Sequence, residues 1–169
     1  MAEQRDHVAA ILEAWGTERP GLDVSPVAIF GRVTRIEHYQ AIAVRQVWRR
    51  HQVDSGEYDV LAALSRSGPR YQLTPTELYR SVLVTSATMT ERLDRLERRD
   101  LIRRQPAARD RRSVLVGLTE RGRTVFAKAH ADLLATEAGL LDGLSPHDRE
   151  ALAGLLAKLA ASLERPEPG

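Results

Sequence analysis

The chain has 169 residues and a net charge of +2, which implies one compact domain or one subunit of a small oligomer; so small a charge does not by itself imply nucleic acid. It contains no cysteine, which excludes disulfides, thiolate metal sites and any switch run by cysteine oxidation. No apolar run approaches the roughly 20 residues of a membrane span, and the opening residues lack the apolar stretch of a signal peptide, so a cytoplasmic protein is expected.

Val8, Ile11, Leu12 and Trp15 place an apolar stripe on a first helix, expected from about Glu3 to Trp15. A connector with Pro20 and Gly21 as breakers follows, and Ser25-Pro26 starts a long helix reaching about His51. Asp54 and Glu57 have capping-box spacing for a third helix that carries Tyr58, Val60, Leu61 and Leu64 and ends near Ser67-Gly68-Pro69. Thr74, Pro75 and Glu77 give the same signal for a short fourth helix, with Leu78 and Val82 facing inward.

A tight connection at Leu83 to Thr85 leads into a fifth helix, capped by Thr85 or Ser86, with Met89, Leu93 and Leu96 on its inner side. A short helix, a turn and a second helix read as a helix-turn-helix, whose second helix can lie in the DNA major groove. At about 100° per residue, Ala87, Thr88, Glu91, Arg95 and Arg98 fall opposite the apolar stripe, while Arg92 falls on the flank and can turn back into the protein. Small and hydroxylic residues thus come first and arginines later. That order suits close approach at the helix N-terminus and contacts to bases or phosphates along its face. The residues expected on DNA from this element are Thr85, Ser86, Ala87, Thr88, Thr90, Glu91 and Arg95.

After Asp100 the period changes. Leu101 to Arg104 and Ser113 to Leu118 read as two strands, the second alternating Val114, Val116 and Leu118. A hairpin directly after a recognition helix is a wing. Its tip holds Arg109, Arg111 and Arg112, and guanidinium groups suit the potential of the minor groove. Asp110 is expected to orient one of these arginines. Arginine makes up 23 of the 25 basic residues, a choice that suits bidentate contacts, although a bias toward arginine codons gives the same count. The competing reading is a solvated charged surface, since Glu91, Asp94, Glu97 and Asp100 can pair with Arg95, Arg98 and Arg99 at helical spacing.

Thr119 and Glu120 begin a long sixth helix ending at Gly143, and Ser145-Pro146 starts a last one with a stripe of Leu152, Leu155, Leu156, Leu159 and Leu163. The expected fold is mainly α with a small β component (α+β), a winged helix-turn-helix between helical arms. Its segments are an added helix and connector at 1–24, a dimerisation helix at 25–53, the winged domain at 54–118 and C-terminal dimerisation helices with a loose tail at 119–169. Both arms are amphipathic, so a homodimer reading paired half-sites of double-stranded DNA is expected.

From roughly Ser25 to Leu163 the chain resembles the MarR family of bacterial transcriptional regulators. The resemblance rests on YDVLAAL, on LTPTELYRSVLVTSATMTERLDRLERRDLIRR, on Asp110-Arg111-Arg112 and on VLVGLTERGR. The added helix with Trp15, and LDVSP after it, look like the urate-responsive branch of that family. The resemblance implies repression relieved when urate, xanthine or a related anion binds. It also implies a ligand pocket of Trp15, Asp59, Arg92 and Arg104. Residue chemistry is compatible with that pocket: arginines take carbonyl or enolate oxygens, and an aspartate takes an N–H. Alternatively, Asp59 and Arg92 form a buried ion pair and Trp15 is a core residue. Thr88 and Glu91 depart from the serine and glycine common at the start of this family's recognition helix, so operator preference is expected to differ.

The five histidines are scattered without metal-ligand spacing, and neither a phosphate loop nor a nucleophile motif is present. No metal, no cofactor and no enzyme activity are expected. The alternative function is a winged-helix module that binds a protein and has no ligand response. Replacing Arg111 or Arg112 by alanine should weaken operator binding and flatten the slope of log affinity against log salt by about one. A gel-shift salt series checks this, and unchanged slopes in both variants would remove the wing from the interface.

Overall fold

The computed structural model describes residues 6–82, 86–106 and 114–164, with the backbone alone at 86–88. It forms two compact units that divide within one helix, after Gln46. The first holds α1 (His7–Glu18) and most of α2 (Ser25–His51). The α1 start differs from the sequence expectation: Asp6 stands outside the helix as its N-cap, accepting the Ala9 N–H at 2.8 Å, and the helix runs on through Glu18. Asp6 also takes the Arg32 Nε–H at 2.7 Å, which ties the start of α1 to α2. Between the two helices, Val8 is buried and packs on Gly31, where a Cβ would meet its Cγ1 at 3.2 Å. The connector turns at Gly21, whose φ of +93° suits glycine. Ile29, Phe30, Val33, Ile36 and Tyr39 of α2 remain exposed.

The second unit holds the rest. Its helices α3 (Ser55–Arg66) and α4 (Pro75–Ser81) open on the capping boxes expected from sequence, Asp54 with Glu57 and Thr74 with Glu77. They are followed by α5 (Ser86–Arg98), α6 (Glu120–Leu140) and α7 (Pro146–Leu163). Three strands, β1 (Gln72–Leu73), β2 (Ile102–Pro106) and β3 (Val114–Leu118), form an antiparallel sheet in the order β1-β3-β2. The hairpin of β2 and β3 was expected, and β2 begins one residue later than the sequence suggests and runs on to Pro106. The strand β1 is an addition. It is two residues long and pairs Gln72 with Gly117 and Leu73 with Val116.

Leu61, Leu64, Leu78, Met89, Leu96, Leu101, Ile102 and Val116 fill the core of this unit. They come from α3, α4, α5, β2 and β3 and the turn after α5, so burial of their apolar surface holds the helix-turn-helix and the sheet as one body. The helices α3 and α6 pack on each other. Tyr58 lies between Trp48 and Phe126, with ring centroids 4.8 and 5.8 Å away, and its hydroxyl meets His130 Nδ1 at 2.7 Å. Asp132 receives Arg50 at 2.7 Å and His51 at 2.9 Å. The helix α7 has no buried residue, and Leu152, Leu155, Leu156 and Leu163 are exposed.

Where α6 starts, Gly122 meets the turn after α5. A Cβ there would lie 1.8 Å from the Leu101 carbonyl oxygen, which also accepts the Thr119 N–H at 3.2 Å. Backbone cannot swing aside as a side-chain tip can. Gly122→Ala should therefore cost about 3 kcal/mol, as overpacking does, and urea unfolding measures it.

Candidate functional site

The expected DNA-reading surface combines α5 with the wing. Thr85 and the wing-tip residues Arg109, Asp110, Arg111 and Arg112 lie outside the described residues, and the side chains of Ser86, Ala87 and Thr88 are not described. Thr90 and Glu91 are exposed on α5. Arg95 is occupied otherwise than its angular position suggests. Its guanidinium is held by Glu57 at 3.1 Å, Asp54 at 2.9 Å and Glu91 at 3.1 Å. Of the pairings expected within α5, Glu91 with Arg95 forms, whereas Asp94 and Glu97 both turn to Arg104 on β2, at 2.7 and 2.8 Å.

Glu57 is the residue that the sequence reading missed. It served there only as a helix cap, yet its side chain is 95% buried and accepts from Arg95 Nε at 3.1 Å and Arg99 Nη1 at 3.0 Å. A signal was present. Glu57 stands three, four and seven residues before Val60, Leu61 and Leu64, on their buried stripe, and a carboxylate on such a stripe needs cationic partners.

The four implied ligand residues are placed differently from one another. Arg92 is 8% exposed, and its Nε and Nη1 are buried with no hydrogen-bond partner. Its guanidinium lies over Gly56, so near that a Cβ on Gly56 would stand 2.2 Å from Cζ and Nη2. Asp59 is exposed, one helical turn beyond Gly56. Partial burial lifts its carboxyl above the usual carboxylate range, against the pull of Arg92 and Arg66. Arg92 therefore acts on Asp59 through space, and among the described residues no ion pair joins them. The buried-ion-pair alternative is thus not what forms. Arg104 is committed to Asp94 and Glu97. Trp15 belongs to the other compact unit, on α1, and is 43% exposed.

A depression of about 730 Å³ lined by Asp100, Arg103, Arg121 and Arg123 contains none of these residues. Among the described residues, no cluster of histidine and carboxylate side chains is arranged to hold a metal, and no helix is long and apolar enough to cross a membrane.

The MarR family model matches residues 51–113. The HTH-type transcriptional regulator PecS of Dickeya dadantii (strain 3937) is 31% identical over 156 residues, which cover 92% of this chain and 94% of PecS. The chain belongs to the MarR family. It is accordingly a DNA-binding transcriptional regulator and not an enzyme. Solved structures of this family share its winged-helix fold. Sco3205 of Streptomyces coelicolor, a MarR family regulator solved in complex with DNA, superposes with a TM-score of 0.74 at 23% identity, over 88% of this chain and 94% of that one. BpsR of Bordetella bronchiseptica, whose DNA binding is regulated by 6-hydroxynicotinic acid, superposes with a TM-score of 0.67 at 23% identity, over 78% of this chain and 92% of BpsR.

In this MarR protein the Glu57 hub fixes α5 to the start of α3. Removing one member of a fully buried ion pair costs roughly 3–5 kcal/mol. Arg95 and Arg99 stay about a third exposed, so Glu57→Gln should cost about 2 kcal/mol after screening. Urea unfolding reads the loss, and operator binding should weaken with it because α5 loses its anchor.

Proposed function

We propose that this regulator is a repressor that binds a pseudo-palindromic operator as a homodimer and is released by a urate-like anion. The observation that carries the ligand half is Arg92. A guanidinium on the recognition helix is buried with two N–H-bearing nitrogens unmatched, and such a cation favours an anionic partner. Asp59, exposed one helical turn beyond Gly56, suits the N–H edge of the same molecule. BpsR offers a precedent in chemistry, since 6-hydroxynicotinic acid is also a flat nitrogen heterocycle with an acidic edge. Arg104 enters the site by exchanging Asp94 or Glu97 for the ligand, which would carry the signal to the base of the wing.

Two facts support the dimer. Leu152, Leu155, Leu156 and Leu163 leave α7 with an uncovered apolar stripe, and so do Ile29, Phe30, Val33 and Ile36 on α2. A second copy would bury both and place two recognition helices on half-sites about one DNA turn apart. The protein-interaction alternative has no observation in its favour.

The ligand relieves repression only if it binds the DNA-incompetent arrangement more tightly, a coupling of about 1–3 kcal/mol in typical cases. Operator binding titrated with urate, xanthine and hypoxanthine should show release for the wild type. Asp59→Asn and Arg92→Ala should raise the half-effective concentration at least tenfold, and light scattering should give the mass of a dimer. A wild type indifferent to all three purines, or an Asp59→Asn variant that responds as the wild type does, would return these residues to structural roles.

A further inference from the structure

The Arg92 guanidinium has an unusual neighbour. It lies across the first turn of α3, a helix of 12 residues, at the one position in that turn without a side chain. The positive end of a helix repels a cation and attracts an anion. Of the first-turn N–H groups, Glu57's is taken by Asp54 at 2.7 Å, while those of Ser55 and Gly56 have no intrahelical acceptor. Two independent features therefore meet at one place: a helix N-terminus, and a side chain more than nine-tenths buried whose Nε and Nη1 lack partners. An anion satisfies both, and neither satisfies the other.

We propose that Gly56 is the specificity-determining position of this site: its bare backbone lets the Arg92 guanidinium lie flat over the start of α3, and the anionic edge of a planar heterocycle binds there against Arg92 and the Ser55 and Gly56 N–H groups. Asp59, three residues on and so on the same side of α3, takes an N–H from the ligand's other edge. With the Arg92 guanidinium so close over the Gly56 backbone, a planar anion fits the site better than a tetrahedral one. Gly56 is a positioning residue, acting through Arg92. This inference rests on the effector reading above and adds to it the residue that sets the shape of the site.

The substitution that tests it is mild in one respect. At Gly56→Ala the new Cβ would meet Cζ, Nη2 and Nε of Arg92 at 2.2, 2.2 and 2.5 Å, all at the far end of a flexible side chain. The guanidinium therefore moves, while α3 and its capping box stay. Full-length wild type, Gly56→Ala and Arg92→Lys would be compared by calorimetry with urate and with inorganic phosphate, by operator binding with and without urate, and by thermal unfolding. Arg92→Lys keeps the charge but loses the planar fork, and it serves if Gly56→Ala does not fold. Wild type should bind urate, and each variant should bind it at least tenfold more weakly. Operator affinity without ligand is measured alongside, so that loss of urate release is read against each variant's own unliganded binding. Phosphate should bind none of the three.

Equal urate affinity in wild type and Gly56→Ala overturns the role of Gly56 and leaves the effector reading standing. Urate binding that Gly56→Ala abolishes, with no release of operator by the wild type, supports the site and sinks the effector reading instead. No urate binding by the wild type overturns both, and phosphate binding as tight as urate's overturns the planar selectivity.

Discussion

The buried carboxylate of Glu57, held between Arg95 and Arg99, is the interaction on which the placement of the recognition helix depends. Burying a carboxylate away from water is unfavourable unless its charge and its lone pairs are matched. Here Arg95 of α5 and Arg99 just after it supply the charge, the Asp54 N–H adds a hydrogen bond, and the Asp54 carboxylate gives Arg95 a second partner. The same helix receives Arg104 of β2 through Asp94 and Glu97. Two sets of ion pairs thus meet on α5, one reaching to the start of α3 and the other to the base of the wing. The apolar core beneath, from Leu61 to Val116, sets the distances at which those pairs close.

Much of this was legible in the sequence because it is local. The capping boxes of α3 and α4 were read from residues three apart, and the structure forms both; at α7 the Ser145-Pro146 start was read, and the structure adds a box with Asp148. Periodicity found the inner side of α5 at Met89, Leu93 and Leu96 for the same reason. What depends on distant partners was not legible. The strand β1 is two residues whose extended backbone is fixed by Gly117 and Val116, more than forty residues on. Arg95 lies opposite the apolar stripe of α5 in angle, but a long side chain reaches where charge draws it, here to Asp54 and Glu57. The start of α1 was placed too early because apolar spacing says nothing about which of several polar residues supplies the cap, a choice made by Asp6 through Ala9 and Arg32.

The candidate ligand site shows the same division. That Arg92 can turn inward was legible from its flank position, between the apolar stripe and the exposed side, and it is buried. That it ends unmatched over Gly56 did not, because nothing in the spacing of α5 identifies which residue of α3 lies beneath it. The contrast with Arg95 is instructive. Both arginines leave α5 toward the same end of α3, three residues apart. Arg95 meets carboxylates, and Arg92 meets a bare turn with Asp59 acting only through space. One arginine is satisfied by the fold and the other is not.

That asymmetry bears on how a small molecule can act on DNA binding from this position. A ligand shifts an equilibrium only by its differential affinity for the two states. If every arginine of α5 were already matched, an anion would have to break an existing pair, and its gain would be offset by that loss. Among the described residues the Arg92 Nε and Nη1 have no hydrogen-bond partner to surrender, so an anion's interaction with them would count almost in full toward whichever arrangement brings it nearest. The three ion pairs of Arg95 and the two of Arg104 then determine what moves. They hold α5, α3 and β2 as one block, so on the proposed reading an anion that biases Arg92 would bias that whole block rather than a single side chain.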